Sequence, residues 1–357
     1  MATDTLSDVL RSVRLRGAVF YDLSFKTEWA AEAPAANEIA GAVIPGAEHV
    51  MEYHVITKGN GWAAIVGEPP VRLETGDIVM FPQGDAHVIS SAPGIRPTRM
   101  SAEWVRMTRN DPKPIPVVFH TQNDYSYGEP GPESPTKVAC GFLGCDLRPF
   151  NPLIATLPRM LHLPAAGDGA WISQVMRQAV SASRDERPGA QAVLERISEM
   201  MFVDALRRYV EHLPDESTGW LAGLRDRNVG RALALIHEHP ARAWTIDMLA
   251  DEVALSRSAF YERFAQLIGQ PPMQYLTQWR MQVAANLLRQ SRAPVLSVAL
   301  DVGYESEAAF TRAFKRLVGT PPATWRRIQN REQEQQISRA DIKPVEIDAQ
   351  SKGIGDD

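Results

Sequence analysis

Two stretches near the end of the chain share one pattern of apolar and polar positions. In the first, Phe260, Phe264 and Leu267 are spaced to lie on one face of a helix. A glycine and two prolines then end the apolar run. The same pattern recurs fifty positions later, at Phe310, Phe314, Leu317, Gly319, Pro321 and Pro322. Two copies are too few for a solenoid, so the repeat predicts two similar helical units.

Each copy begins with a short apolar helix, at Ile246–Val253 and again at Val295–Val302. A tight turn follows, and then Ser256 or Ser306 stands where a helix N-cap belongs. A helix, a short turn and a second helix with a polar outer face are typical of a helix-turn-helix, whose second helix enters the major groove. We therefore predict two such units, at about 246–267 and 295–317.

The polar faces of the two second helices carry the candidate DNA contacts. Arg312 suits guanine O6 and N7. Lys315 and Arg316 suit phosphates, which position the protein without specifying sequence. The alternative for every charge here is a solvated helix face, and Glu262 could also pair with a neighbouring arginine. The complete candidate set is Arg257, Ser258, Tyr261, Glu262, Glu307, Ala308, Thr311, Arg312, Lys315 and Arg316.

The second copy resembles one regulator family closely. Its runs Val302–Ser306, Phe310–Lys315 and Gly319–Pro322 are similar to the second helix-turn-helix of the AraC/XylS transcription regulators. The resemblance covers about 228–327. It implies a long linking helix at Met273–Gln290 that holds the two reading helices about one DNA turn apart. It also implies promoter DNA and RNA polymerase as partners, and a tendency towards activation.

Charge is distributed unevenly along the chain. The 357 residues have a formal net charge of −5. From 223 to 327, however, there are 14 basic and 9 acidic residues, and 13 of the basic ones are arginine. A basic block inside an acidic protein is expected of a nucleic-acid-binding module, and arginine suits forked contacts to phosphate and guanine.

The N-terminal part predicts a different architecture. Short apolar runs broken by glycine and proline between 41 and 106 favour a β-sandwich or barrel. Within them, Gly76–His87 places a Pro-x-Gly turn ahead of a histidine that is aimed inwards. This stretch resembles the second motif of the cupins, while Glu52 and His54 occupy positions of a partial first motif. The chain from about Phe20 to Asp146 thus resembles the cupin sensor domains that precede AraC-type DNA-binding units.

The cupin-like part has candidate metal ligands. Glu52 and His54 are two residues apart on a strand and therefore share a face. With His87 they would form a two-histidine, one-carboxylate set suited to iron or a similar ion. Alternatively, His54 and His87 are hydrogen-bonded interior residues of a sensor that lost its metal. A full ligand set would be required for the rival function, a metal-dependent cupin enzyme with a helical appendage, whereas the family resemblance predicts a regulator and no enzyme.

Two cysteines, Cys140 and Cys145, are the only ones in the chain. They could be buried and inert, could form a redox switch, or could join His54 and His87 in a zinc site. Regular strand alternation places residues five apart on opposite faces, unless a glycine bulge intervenes. Together with His54 and His87, these cysteines are the candidate sensing residues for a small molecule or an oxidant.

The remaining segments complete the predicted organisation. Helices at about 170–183 and 190–212 have apolar stripes typical of core or of a dimer seam, and we expect a homodimer. There is no apolar stretch of bilayer length and no secretory signal, which predicts a cytoplasmic protein without a membrane partner. The predicted fold class is α+β, with a cupin-like β-barrel flanked by helices followed by an all-α domain. The expected divisions are a sensor at 1–165, a helical dimerisation and linker segment at 166–222, a DNA-binding domain at 223–330 and a disordered tail at 331–357.

Overall fold

A computed structural model describes residues 4–108, 114–122, 124–128, 134–165, 170–183 and 188–340. The contacts between residues divide the chain into two compact units, Met1–Val283 and Ala284–Asp357. Among the described residues, no helix combines the length and the apolar character that crossing a bilayer requires.

The first unit contains a larger sheet of seven strands. These are β1 (Arg16–Phe25), β3 (His49–Lys58), β6 (Ile78–Phe81), β9 (Ile115–Phe119), β10 (Tyr125–Tyr127), β11 (Thr136–Cys145) and β12 (Leu161–Leu163). Their spatial order is β10-β9-β1-β11-β3-β6-β12. Neighbours are antiparallel except β1 and β9, which are parallel.

A smaller sheet of five strands lies in the same unit. Its strands are β2 (Ala30–Ala33), β4 (Gly61–Ile65), β5 (Val71–Leu73), β7 (His87–Ser90) and β8 (Thr98–Arg99), in the order β5-β4-β7-β2-β8. Apolar side chains of both sheets form one core, which includes Phe25, Ile65, Phe81, Ile89 and Phe142. The two sheets therefore face each other, as the predicted cupin-like barrel requires.

Strand alternation decides which residues enter that core. On β3, Met51, Tyr53 and Val55 belong to one hydrophobic cluster, whereas Val50 and Ile56 belong to the cluster between the sheets. Successive side chains of a strand point to opposite faces. The even-numbered positions of β3 thus line the space between the sheets.

In the described part of this region, the α-helices beside the sheets are α1 (Thr5–Ser12), α2 (Ala36–Val43), α3 (Ala102–Met107), α4 (Ala170–Ser183) and α5 (Ala190–Glu211). Residues of α4 and α5 pack with those on the outer face of β3, and the shared core includes Met176, Met201 and Tyr53. The hydroxyl of Tyr53 reaches Ser198 on α5 at 2.6 Å, and Gly17 leaves room for this helix above β1.

The first unit continues with α6 (Trp220–Arg225), α7 (Arg227–Glu238), α8 (Ile246–Glu252) and α9 (Arg257–Ile268). The long helix α10 (Pro272–Gln290) begins in this unit. The Ser256 hydroxyl accepts a hydrogen bond from the Ala259 amide at the start of α9. The helix ends at Gly269, whose φ of 78° is left-handed and favours glycine. The α8–turn–α9 arrangement is the first predicted helix-turn-helix.

The second unit repeats this order of helices in α11 (Val295–Asp301), α12 (Glu307–Val318) and α13 (Pro322–Ala340). Ser306 caps α12 through the Ala309 amide, and Gly319 ends it with a φ of 88°. The buried rings of Phe310 and Phe314 form its core together with Trp325. Both predicted repeats are therefore helix-turn-helix units.

The structure differs from one predicted division, the disordered tail. Helix α13 continues to Ala340, so 331–340 are helical although they were expected to be disordered. Glutamate, glutamine and arginine, which are frequent there, are good helix formers. Residues 341–357 lie outside the described part. The contacts group the first helix-turn-helix with the cupin-like part in one compact unit. The predicted domain boundary near residue 222 remains a prediction.

Candidate functional site

The exposed face of α12 contains the predicted DNA contacts of the second helix-turn-helix. Phe310 and Phe314 are fully buried, and this fixes the rotation of the helix about its axis. Arg312, Lys315 and Arg316 are consequently exposed, and none of them forms an ion pair with another described residue. The three cations are free to meet an anionic partner. Glu307 and Ala308 are exposed at the start of the same helix, and Thr311 is half-buried.

The corresponding face of α9 is also exposed but differs in charge. Arg257, Ser258, Tyr261 and Glu262 all lie on the solvent side of this helix. Arg257 contacts Asp247 on α8 at 3.2 Å, through a pair that is largely exposed and therefore weak. A DNA phosphate or base could replace this partner.

Arg263 was not among the predicted DNA contacts, and the structure gives it a structural role. Its guanidinium donates to the Asp226 carboxylate, which also caps α7 by accepting from the Asn228 and Val229 amides. The guanidinium helps hold the pKa of Asp226 below its usual value against desolvation, which acts to raise it. The sequence alternative in which Glu262 pairs with Arg263 is therefore not the arrangement found.

In the cupin-like part, three strands bring four predicted residues together, which we call the buried cluster: Glu52, His54, His87 and Cys140. His54 lies opposite Cys140 in the register between β3 and β11, and His87 reaches it from the smaller sheet. The His54 Nδ1 lies 2.9 Å from Cys140 Sγ, and the two histidine Nε2 atoms are 2.7 Å apart. All four side chains are buried.

The hydrogen bonds in the buried cluster determine its protons. His87 Nδ1 faces the Asp85 carbonyl at 2.9 Å, and a carbonyl can only accept, so Nδ1 carries the hydrogen. Burial lowers the pKa of His87 to about 4, which leaves its Nε2 bare to accept from His54. Burial likewise lowers the pKa of His54, whose bare Nδ1 then accepts from the Cys140 thiol. The result is one directed chain from Cys140 through both imidazoles to a backbone carbonyl.

Glu52 is the fourth member of the buried cluster, and its own hydrogen bonding is incomplete. Glu52 Oε1 lies 3.9 Å from His54 Nε2, and Glu52 Oε2 lies 3.9 Å from His87 Nε2. Oε2 has no hydrogen-bond partner among the described residues. Burial raises the pKa of Glu52 to about 8. A buried polar atom without a partner is costly, and such atoms often mark a functional site.

The donor set fits a metal ion. One ligand atom each from Glu52, His54 and His87 lie within 4.8 Å of one another. The remaining ring nitrogens face Asp85 O and Cys140 Sγ, the kind of outer contacts that orient metal-binding histidines. These three residues could hold a transition metal, with Cys140 behind His54.

The structure separates Cys145 from the other three candidate sensing residues. Cys140 belongs to the core between the sheets, whereas Cys145 belongs to the core on the opposite face of the larger sheet. The register shift between β1 and β11 falls opposite Gly141 and Cys140, but its extra residue is on β1. The pairing of β11 with β3 is regular from Cys140 to Cys145, so strand alternation separates the two cysteines. A zinc site or an intramolecular disulfide that uses both thiols is incompatible with this arrangement. Burial also raises the pKa of both thiols, which makes them poor nucleophiles.

A concave site lies on the smaller sheet, at residues outside the candidate sensing set. It is a groove of about 300 Å³ lined by Glu32, Trp62, Val88 and Pro93, among others. Such a volume is at the lower limit of small-molecule sites. It is formed by strand register and loop position, for which no local signal exists in the sequence.

Comparison with known proteins agrees with both halves of the chain. Residues 4–211 match the family model described as cupin, and 249–328 match that of a helix-turn-helix domain. An AraC-like transcription regulator of Streptomyces lividans is 31% identical over 326 residues, covering 91% of this chain and 98% of the relative. The chain belongs to the AraC-type transcription regulators with an N-terminal cupin domain. It is a DNA-binding regulator rather than an enzyme, as the resemblance predicted.

Further relatives extend over similar lengths. The regulator AlkR of Acinetobacter baylyi is 25% identical and covers 90% of this chain and 99% of the relative. The RCS-specific transcriptional activator RclR of Escherichia coli is 25% identical and covers 78% and 84%. Among solved structures, the DNA-binding domain of AdpA in complex with a target DNA is 31% identical, with a TM-score of 0.30, covering 31% of this chain and 98% of that one.

Proposed function

We propose that this regulator reads promoter DNA with α9 and α12 and senses a small molecule or an oxidant at its buried cluster. The single observation that supports the DNA-reading half most strongly is the face of α12. There, two buried phenylalanines point one way while Arg312, Lys315 and Arg316 point the other way, exposed and without ionic partners among the described residues.

Within that surface the residues have different tasks. Arg312 reads a guanine through O6 and N7, and Lys315 and Arg316 bind phosphates. On α9, Arg257 exchanges its exposed contact with Asp247 for DNA, and Tyr261 packs on a thymine methyl. The exposed residues Ser258, Glu262, Glu307 and Ala308, and the half-buried Thr311, complete the surface.

The test is a binding series with Arg312→Ala, Arg316→Ala and Arg327→Ala on duplexes that the wild-type protein selects from a random library. Arg312→Ala is expected to cost about 1–3 kcal/mol and to relax the preference at one base position. Arg316→Ala should weaken all duplexes alike and make the salt dependence shallower by about one unit. Arg327 is an exposed arginine of α13 and serves as the charge control. If Arg312→Ala keeps both affinity and preference, Arg312 is not a reading residue.

The sensing half of the proposal is supported by the buried cluster. A buried carboxylate oxygen without a partner lies beside two imidazoles and a thiol, which is an arrangement that a bound ligand would complete. A signal acts by binding the DNA-competent and the incompetent arrangement with different affinity. The neutral, buried state of the Cys140 thiol makes direct oxidation slow unless the surroundings change.

The regulator is further proposed to act as a cytoplasmic homodimeric activator that works with RNA polymerase. The Escherichia coli relative is named an activator, which supports that direction. On α5, Val193 and Met200 are one heptad apart and are 53% and 48% exposed. Exposed apolar side chains on one helix face suit contact with a second copy of the chain.

A further inference from the structure

Residues 146–157, which we call the connecting segment, contact both the cupin-like part and α10, the helix that follows the first helix-turn-helix. The residues in contact all belong to the first compact unit. The segment directly follows β11, the strand that carries Cys140, and contains a short 3-10 turn at Ile154–Thr156. It makes hydrogen bonds to groups on both sides.

On the sensor side, the segment is tied at both of its ends. Its beginning is the continuation of β11, and the Asp146 amide donates to the Val13 carbonyl at 2.9 Å. Its end is held by Gln83, whose amide donates to the carbonyls of Ile154 and Leu157 at 2.7 and 2.9 Å. Gln83 belongs to the turn just before β7, which begins at His87. A change at Cys140 or His87 therefore reaches the segment through one covalent connection and one pair of hydrogen bonds.

On the DNA-binding side, the segment is held by α10. The Phe150 ring packs edge-on against Tyr275, with ring centroids 5.3 Å apart. The Phe150 amide donates to Gln282 Oε1 at 3.0 Å, while Gln282 Nε2 donates to the Ser12 carbonyl at 2.7 Å. One side chain of α10 thus joins α1 and the connecting segment.

Because Gln282 is buried, its two hydrogen bonds are difficult to replace. The residue is 2% exposed, so water is a poor substitute for either backbone partner. If α10 moves away from the cupin-like part, the Gln282 side-chain amide, the Phe150 N–H and the Ser12 carbonyl each need a new hydrogen-bond partner. Tyr275 is held in a similar way, because its hydroxyl is hydrogen-bonded to Trp220 on α6 and to His237 on α7. The junction therefore favours docked or released arrangements over intermediate ones.

We propose that the connecting segment transmits the state of the buried cluster to the first helix-turn-helix, and that Gln282 is the positioning residue at which this coupling is made. The proposal rests on the sensing role proposed for the buried cluster. Displacement of β11 or of the Gln83 turn moves the Phe150 amide away from Gln282, which releases α10 and changes how α9 meets DNA.

The first test needs neither the effector nor DNA. Hydrogen exchange of the full-length protein is compared between wild type, Cys140→Ser and His87→Ala. Faster exchange is expected in peptides covering 146–157 and the part of α10 around Gln282, with α8 unchanged as an internal control. Two variants are used because His87→Ala removes a large buried side chain, whereas Cys140→Ser changes one atom. Unchanged exchange in both regions, in either folded variant, would overturn the coupling.

The second test is a thermodynamic cycle on a duplex selected by the wild-type protein. His87→Ala is expected to change the DNA dissociation constant by at least about fivefold when Gln282 is present, which is the lower range of allosteric coupling. In a Gln282→Ala background the same substitution should change it less than about twofold. Gln274→Ala is the matched control, since Gln274 is an exposed glutamine of the same helix. Gln282→Met, which fills a similar volume without either hydrogen bond, replaces Gln282→Ala if that variant does not fold.

The two tests separate the failure of this inference from failure of the proposed function. Equal effects of His87→Ala with and without Gln282 would refute the junction while leaving DNA recognition intact. If the wild-type protein selects no DNA sequence, the proposed reading function fails, and the exchange experiment still decides whether the buried cluster and α10 are coupled.

Discussion

His237 lies on α7 and is predicted to make the stability of the first compact unit depend on pH. Its ring lies 3.7 Å from that of Trp279 in a stacked arrangement. The Tyr275 hydroxyl accepts from the Trp220 indole at 2.7 Å and therefore donates its hydrogen to His237 Nε2 at 2.8 Å. This geometry requires a neutral imidazole. Burial lowers the pKa of His237 from 6.5 to about 3.

The size and sign of the effect follow from that pKa. Above pH 6.5 the folded and unfolded states both hold a neutral His237, so the residue contributes no pH dependence. As the pH falls below this value, the unfolded state binds a proton and the folded state does not. Each further pH unit then lowers the free energy of unfolding by up to about 1.4 kcal/mol. At about pH 5 the loss is about 2 kcal/mol, and it levels off only near the folded-state pKa.

The measurement is urea unfolding of the full chain at about pH 7.5 and about pH 5, followed by tryptophan fluorescence, for wild type and His237→Gln. Glutamine can accept from Tyr275 but does not titrate. As the pH falls, both proteins also lose stability through their other titratable groups. Wild type is expected to lose about 2 kcal/mol more than the variant. A difference between the two proteins that stays constant with pH would show that His237 is not held neutral by the fold.

Two further predictions concern the sensor. Gly141→Ala should destabilise the protein by about 1–3 kcal/mol, because the added Cβ would lie 2.3 Å from the Tyr53 ring, whereas Gly41→Ala in α2 meets nothing within 4 Å and should be neutral or stabilising. Equal unfolding midpoints for both variants would contradict this. In DNA-binding assays with hydrogen peroxide or zinc as the probe, Cys140→Ser should alter the response and Cys145→Ser should not, since only Cys140 contacts His54. Equal loss in both variants would exclude the buried cluster as the sensor.

The tandem helix-turn-helix could be predicted from the sequence because its signals are local. Ser256 and Ser306 cap helices within three residues, Gly269 and Gly319 end them, and the phenylalanines mark one helix face. Each of these effects acts within one or two helical turns, so adjacent residue types are sufficient. The strands from β3 to β7 followed from short apolar runs in the same way.

The buried cluster could be predicted only in part. Glu52, His54 and His87 were candidates because strand alternation and a turn pattern aim them inwards. Whether Cys140 or Cys145 joins them was left open, and the pairing register of β11 with β3 decides it. Register depends on which strands meet and where, and this is a property of the whole core rather than of any segment.

The sequence by itself therefore determined the repeated helix-turn-helix units, their caps and exposed faces, and the identity of three inward-facing residues of the cupin-like part. Only the tertiary structure decided that His54 is bonded to Cys140 and His87, and that Gln282 bridges Ser12 and Phe150 across 270 and 132 positions of the chain. The physical reason is the separation along the sequence between the groups that interact. Caps and helix faces depend on interactions between near neighbours, whereas these buried contacts exist only after collapse has excluded water and paired groups from distant parts of the chain.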